Sequence, residues 1–143
     1  MKKLLLLLVL VTFCIASSCS PEDDNLEFTL ELVPIQDVAD MPHHFERGRT
    51  YNLKLFYSMP SDCHYLNNVL PEQQGPNEWM VALEAFVVED EGCDDYQQMV
   101  MEEAIVEFVC TPSYSGDTCT LKFYSGEDEQ GNPTFIERTV PVQ

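Results

Sequence analysis

Between Leu26 and Val142 apolar side chains return at every second position, segment after segment, and this period constrains the fold more than any other feature. An extended strand sends successive side chains to opposite faces, whereas a helix needs apolar residues three and four apart. Leu26, Phe28, Leu30 and Leu32 alternate with Glu27, Thr29 and Glu31, which predicts a strand with one dry and one wet face before Pro34. Tyr51, Leu53, Leu55 and Tyr57 give a second strand. His64 to Leu70 reads as a short edge strand. Trp79 to Val88, apolar almost throughout, reads as a central strand covered on both faces with Trp79 in the core. Glu103 to Cys110, Thr118 to Tyr124 and Thr134 to Val142 complete the set, while Tyr96 to Met101 suits a strand or a helical turn. The intervening stretches are connections: Gln36 to Arg49 with Phe45 tucked inward, Pro71 to Asn77, and the polar hairpin loop from Gly126 to Pro133. About seven short strands and no long amphipathic helix predict an all-β chain folded as an antiparallel β-sandwich.

The N-terminus has a different character. Met1-Lys2-Lys3 is followed by an apolar run from Leu4 to Ile15, about twelve residues and too short to span a bilayer core of about 30 Å. A basic start, a short apolar stretch and then small residues describe an export signal. Here Ala16-Ser17-Ser18 leads directly into Cys19, and this resembles the lipobox of bacterial lipoproteins. In that motif the thiol is diacylglycerated and the cysteine becomes the first residue. Ala16 stands where the motif usually has leucine. The resemblance divides the chain into a signal peptide (1–18), a lipidated Cys19 with an acidic tether (19–25) and a folded domain (26–143). Its implied partner is the membrane, held through lipid on Cys19. Ser20-Pro21-Glu22-Asp23-Asp24 further resembles the acidic run behind the lipidated cysteine in surface-exposed lipoproteins of Bacteroidetes. That implies an outer-membrane protein displayed on the cell surface, although a solvated tether has the same composition.

An exported chain favours oxidised thiols. Cys63, Cys93, Cys110 and Cys119 remain beyond Cys19, and four cysteines allow three pairings. Alternation places Cys110 on one face with Ala104, Val106 and Phe108, and Cys119 on one face with Leu121 and Phe123. If those strands form a hairpin through the loop from Thr111 to Thr118, a Cys110–Cys119 bridge follows and leaves Cys63 to pair with Cys93. No CxxC spacing supports zinc ligation.

Charge narrows the partners. The chain holds 25 acidic and 7 basic residues. Removing Lys2 and Lys3 with the signal leaves five basic residues, a net charge of −20. Nucleic acid is excluded as a partner, because affinity for phosphate comes from Lys and Arg displacing counterions. The same sign opposes adhesion to anionic head groups and favours repulsion between copies.

Ser61-Asp62-Cys63-His64, the later Cys93, Leu121-Lys122-Phe123-Tyr124-Ser125-Gly126-Glu127-Asp128 and Val140-Pro141-Val142 resemble small flavobacterial-type surface lipoproteins with an immunoglobulin-like domain. The resemblance covers most of 26–142. It implies an immunoglobulin-like sandwich and favours the Cys63–Cys93 pairing. It carries over no catalytic residue and no cofactor.

No catalytic constellation stands out from the residues themselves. There is no G-x-S-x-G elbow. Adjacent His43 and His44 point to opposite sides of an extended backbone, and His64 reads as packing beside a cystine. The acidic loops 89–95 and 128–132 lack the order of an EF-hand and read as solvated tips. Tyr65, Trp79, Tyr96, Tyr114 and Tyr124 could stack on sugars or enter a partner's pocket, although aromatics at strand ends more often belong to core or rim. The expectation is therefore a non-enzymatic envelope module that binds an unidentified protein or glycan, or serves a structural role. The rival is a periplasm-facing accessory of a transport or secretion assembly.

Overall fold

A computed structural model of the chain describes residues 28–88 and 92–143. Among the described residues there are eight strands and no helix: β1 (Phe28–Val33), β2 (Ile35–Ala39), β3 (Arg49–Tyr57), β4 (His64–Gly75), β5 (Glu78–Val88), β6 (Glu102–Cys110), β7 (Thr118–Glu127) and β8 (Pro133–Pro141). They form a five-stranded and a three-stranded sheet in a sandwich-like arrangement. The all-β expectation holds. The segment left ambiguous at Tyr96 to Met101 carries bends and no helical turn.

The smaller sheet has the order β2-β3-β6, all antiparallel. In the larger sheet β4 and β5 form a long hairpin. The other edge of β5 is shared, by β1 along Leu83–Val88 and by β7 along Glu78–Val81. β8 closes the sheet by pairing with β7. The β5–β7 pair is parallel, so the larger sheet is mixed and not purely antiparallel as expected. The cause is topological: β7 arrives beside β5 from the opposite sheet, not through a hairpin turn.

Pro34 ends the first strand as its sequence predicts, and the chain resumes after it as β2, so that β1 belongs to the larger sheet and β2 to the smaller. The second proline departs from the sequence reading. Pro71 lies inside β4, which runs to Gly75. β4 has a neighbour on one side only, and such edge strands are where a sheet accommodates proline.

The core lies between the sheets. Phe45, Leu53, Leu55, Leu83, Leu121 and Phe123 are fully buried in it. Phe45 tucks in as expected, 4.9 Å from the ring of Tyr51 and 4.7 Å from that of Phe108. Its loop is fastened by backbone bonds to the C-terminal strand: Phe45 N–H donates to Pro141 O and Gln143 N–H to Phe45 O, both at 2.8 Å. Arg47 ties down the loop after β6, donating to the carbonyls of Tyr114 (2.8 Å) and Gly116 (3.0 Å). Gly116 lies against the side-chain amide of Asn77, which would have to swing aside for a larger residue, and the Asn77 backbone carbonyl accepts from Thr120 N–H.

The cysteines divide. Cys63 and Cys93 form a disulfide with their Cα atoms 5.6 Å apart. Cys110 and Cys119 are free thiols, which corrects the hairpin reading. β6 and β7 are sequential in the chain but lie in opposite sheets, so no hairpin joins them. Both thiols point into the core as alternation predicts, and burial pushes each thiol's pKa up. Cys19 and the signal segment lie outside the described residues.

Candidate functional site

Strand alternation fixes which side chains reach solvent. Val33 and Ile35 point into the core, so the even-numbered residues of β1 point outward. The face formed by Phe28, Leu30 and Leu32 is therefore on the outside of the larger sheet, the reverse of what its composition suggests. All three are exposed, Phe28 by 60 %. Cross-strand register extends the patch. Leu30 lies opposite Phe86, and Phe86 lies opposite Tyr65. Tyr65 stacks on Phe86 at 5.1 Å and 19°, while Phe28 meets the same ring edge-on at 6.4 Å. The central-strand expectation for Trp79 to Val88 thus holds on the inner face only. The outer face of β5 is covered by no strand among the described residues.

Polar groups border this aromatic row. Asn67 Nδ2 donates to Glu84 Oε1 at 2.7 Å, and Asn67, Phe28, Leu30 and Phe86 line a shallow depression. An exposed contiguous apolar patch with a polar rim is the usual mark of a contact surface. Its chemistry is that of stacking and hydrophobic insertion. Stacked rings offer rigid contact area at low entropy cost, to a sugar face or to side chains of a protein. Sequence reading singled out Tyr65 but missed Phe28, Leu30 and Leu32. The signal that could have found them is the parity of Val33 and Ile35 across Pro34.

Beneath the patch Ser61, His64 and Glu31 form a chain of contacts. Ser61 Oγ lies 2.7 Å from His64 Nδ1, and His64 Nε2 lies 3.7 Å from Glu31 Oε2. The residue types are those of a hydrolytic triad, but the Ser61 residue is only 4 % exposed and its Oγ also accepts the Cys63 N–H at 3.3 Å. A nucleophile must reach substrate. Here the hydroxyl locks the turn that leads into β4 and the disulfide.

The remaining sequence candidates are dispersed. His44 sits 3.7 Å from Glu46 in the loop before β3, far in the chain from His64. Asp62 clusters with Cys63 and Cys93, but the two sulfurs are joined to each other and Asp62 Oδ1 accepts the Asp94 N–H. In the polar hairpin loop Asp128 accepts from the backbone N–H groups of Gln130 and Asn132, each at 2.9 Å, and from the Asn132 side chain. Those bonds from Asn132 lower the Asp128 pKa, and they spend its oxygens on closing the turn. Tyr114 donates to Thr118 O, and Tyr124 is buried on the rim. Tyr96 and Met99 to Met101 are exposed along the crossing between the sheets.

A separate feature lies on the inner side. Between the sheets, where β4 and β6 face each other, a cleft of about 200 Å³ is lined by Leu53, Pro71, Trp79, Val81, Phe108 and Leu121 among others. No helix of the described residues is long and apolar enough to cross a membrane. Compared with protein-family models, curated proteins and solved structures, the chain has no match.

Proposed function

We propose that the chain is a lipid-anchored module of the cell envelope, without enzymatic activity, displayed on the outer membrane and binding a protein or glycan through the outer face of β1, β5 and β4. The observation that carries this reading is the exposed row of Phe28, Leu30, Phe86 and Tyr65. A free-standing protein seldom leaves such a row open to water. The anchor rests on Lys2-Lys3, the apolar run and Ala16-Ser17-Ser18-Cys19. Two or three acyl chains, at roughly 0.8 kcal/mol per buried methylene, hold a domain on a membrane where a single chain does so marginally. An immunoglobulin-like kinship draws support from the antiparallel β2-β3-β6 sheet and the β7–β8 pair. The parallel β5–β7 pair departs from the standard arrangement.

Fractionation and surface proteolysis test the anchor. Cys19→Ala moves the protein from the membrane to the soluble fraction, and protease added to intact cells degrades the wild type. Protection until the outer membrane is breached refutes surface display and favours a periplasm-facing assembly. For the binding face, a photo-crosslinking residue at position 32 captures a protein partner or glycan on cells, and Phe28→Glu with Leu30→Glu removes the adduct. An adduct that survives both substitutions places the contact elsewhere.

A further inference from the structure

β1 is an edge strand: β5 pairs with one side of it, and among the described residues no strand pairs with the other. The backbone fixes which residues face that opening. Val88 N–H donates to Cys63 O at 3.1 Å, on the β4 side of β5. Backbone groups alternate sides along a strand, so those of Phe86 and Glu84 also turn to β4, and those of Val87, Ala85 and Leu83 turn to β1. Their partners Thr29, Glu31 and Val33 therefore spend their N–H and C=O groups on β5. The groups of Phe28, Leu30 and Leu32 point to the open side and have no backbone partner among the described residues.

This edge selects among occupants. A donor and an acceptor recur along it about every 6.8 Å, the repeat of another extended backbone and not of a sugar ring. Phe28, Leu30 and Leu32 also hold their side chains on the exposed outer face. A strand added here sets its own alternate side chains beside them, where apolar groups are covered. Its remaining side chains fall beside Thr29 and Glu31, which are exposed, so those positions stay wet. The Glu31 side chain is 57 % exposed, and its 3.7 Å contact with His64 Nε2 is too long for a hydrogen bond, which leaves its charge to an incoming cation. The chain as a whole has the same sign, with 25 acidic and 7 basic residues. A second copy is disfavoured, because it brings another Glu31 and the same excess charge to the seam.

We propose that the open edge of β1 receives an added strand from a partner protein, an extended segment in which apolar residues alternate with Lys or Arg. The apolar residues continue the outer face, and the basic ones flank Glu31. This inference rests on the outer-face reading given above and names the partner as a protein segment rather than a glycan.

Short peptides test this on the purified full chain, with acetyl-Lys-Val-Lys-Val-Lys-Val-amide as the probe. On binding, the amide protons of Leu30 and Leu32 exchange more slowly with solvent, while those of Thr29 and Glu31, already bonded to β5, change little. In an antiparallel strand the residues opposite Leu30 and Leu32 share their face and turn their backbone to β1. Methylating the valine amides therefore weakens binding by about tenfold or more, because each methyl removes a hydrogen bond, and methylating the lysine amides leaves it within about twofold. The reverse ratio gives a parallel strand on the same edge. The Glu-Val counterpart binds about fivefold more weakly than the probe. Glu31→Lys narrows that difference more than Glu107→Lys, the same charge change on β6. Equal affinities of the two methylated peptides overturn the proposal. If their binding is still lost in Phe28→Glu with Leu30→Glu, the outer face binds without the edge, and the outer-face reading stands while this one falls. Unslowed exchange at Leu30 and Leu32 with about 1 mM probe overturns it as well. So does slowing that grows with protein concentration and needs no peptide, the mark of a second copy. The photo-crosslink at position 32 decides the outer-face reading independently of these peptides.

Discussion

Replacing Cys63 and Cys93 together by alanine removes a cross-link that closes a 30-residue separation in the chain. In the chain-entropy account a loop of that length stabilises the native state by about 3.7 kcal/mol, by restricting the unfolded ensemble. The native geometry near the bridge does not depend on the cross-link alone. Asp62 N–H donates to Asp94 O, Tyr96 N–H to Pro60 O at 3.0 Å and Asp94 N–H to Asp62 Oδ1 at 2.9 Å. These bonds keep the segment after β5 beside the turn before β4 in the variant, so the loss falls mainly on the unfolded side. With about 2.1 cal/mol/K of unfolding entropy per residue, 1 kcal/mol moves the Tm of a domain this size by about 4 °C, and the double variant melts about 15 °C below wild type. Circular dichroism melts and urea titration measure it. The urea slope also rises, because the unlinked chain exposes more surface. Wild type unfolded and refolded under reductant should reproduce the variant's Tm. A double variant within about 4 °C of wild type refutes the reasoning, since it means that the unfolded chain was never constrained by this loop.

Three further outcomes follow from the same packing. Cys110 and Cys119 resist alkylation in the native protein, because both are fully buried and burial raises their pKa; of the four cysteines among the described residues these two react after unfolding without reductant, as peptide mass measurement reads. Phe45→Ala destabilises by about 3–5 kcal/mol, since a fully buried ring in contact with Tyr51 and Phe108 is replaced by a cavity, and a urea midpoint checks it. Tyr57 has its pKa pushed up to about 12, by burial first and then by Glu102, to which its hydroxyl donates at 3.1 Å. A pKa raised on folding gives stability that is complete below the unfolded value near 10 and is lost as pH climbs towards 12. Tyr114 and Tyr124 are raised as well, so Tyr57→Phe makes the alkaline loss shallower without removing it, and an unchanged slope between pH 9 and 12 in denaturant titrations counts against the assignment.

Strand alternation carried most of the fold because a half-buried strand writes its inward face into its own residues. Leu53, Leu55 and Tyr57 are buried as a set, and so are Ala104, Val106, Phe108 and Cys110. What alternation lacks is the identity of the neighbouring strand. The parallel β5–β7 pair joins residues about forty positions apart and leaves no local trace. β2 escaped notice because its pairing with β3 shifts register between Ile35 and Asp37, which breaks the period of two. The same limit hid the candidate site. A period of two separates two faces but does not say which is dry, and in β1 the apolar face points to solvent while Val33 alone is buried. The Cys110–Cys119 expectation failed on the same ground, since it rested on adjacency in sequence where the chain crosses between sheets.

The inversion of β1 has a physical reading that connects the two ends of the proposal. An amphipathic strand normally gains about 25 cal/mol for each Å² of apolar surface it hides. β1 hides Val33 but leaves Phe28, Leu30 and Leu32 in water, while Thr29 and Glu31 on its inner side are exposed too. The strand therefore extends past the core, carrying both faces beyond the cover of the smaller sheet. Phe28 is at once the first residue of that extension and a member of the aromatic row. Nine positions separate it from Cys19, a reach of at most about 30 Å even when fully extended. On the proposed anchoring, the row begins at the end of the domain from which the tether leaves. Any partner bound there is held within a bilayer's thickness of the membrane surface. The excess negative charge acts in the opposite sense on the domain as a whole, repelling anionic head groups and neighbouring copies. On that proposal the tether would bring the face close to the membrane while the charge opposes contact with anionic lipid, leaving Phe28, Leu30, Phe86 and Tyr65 open to a partner in the same membrane or on the same surface.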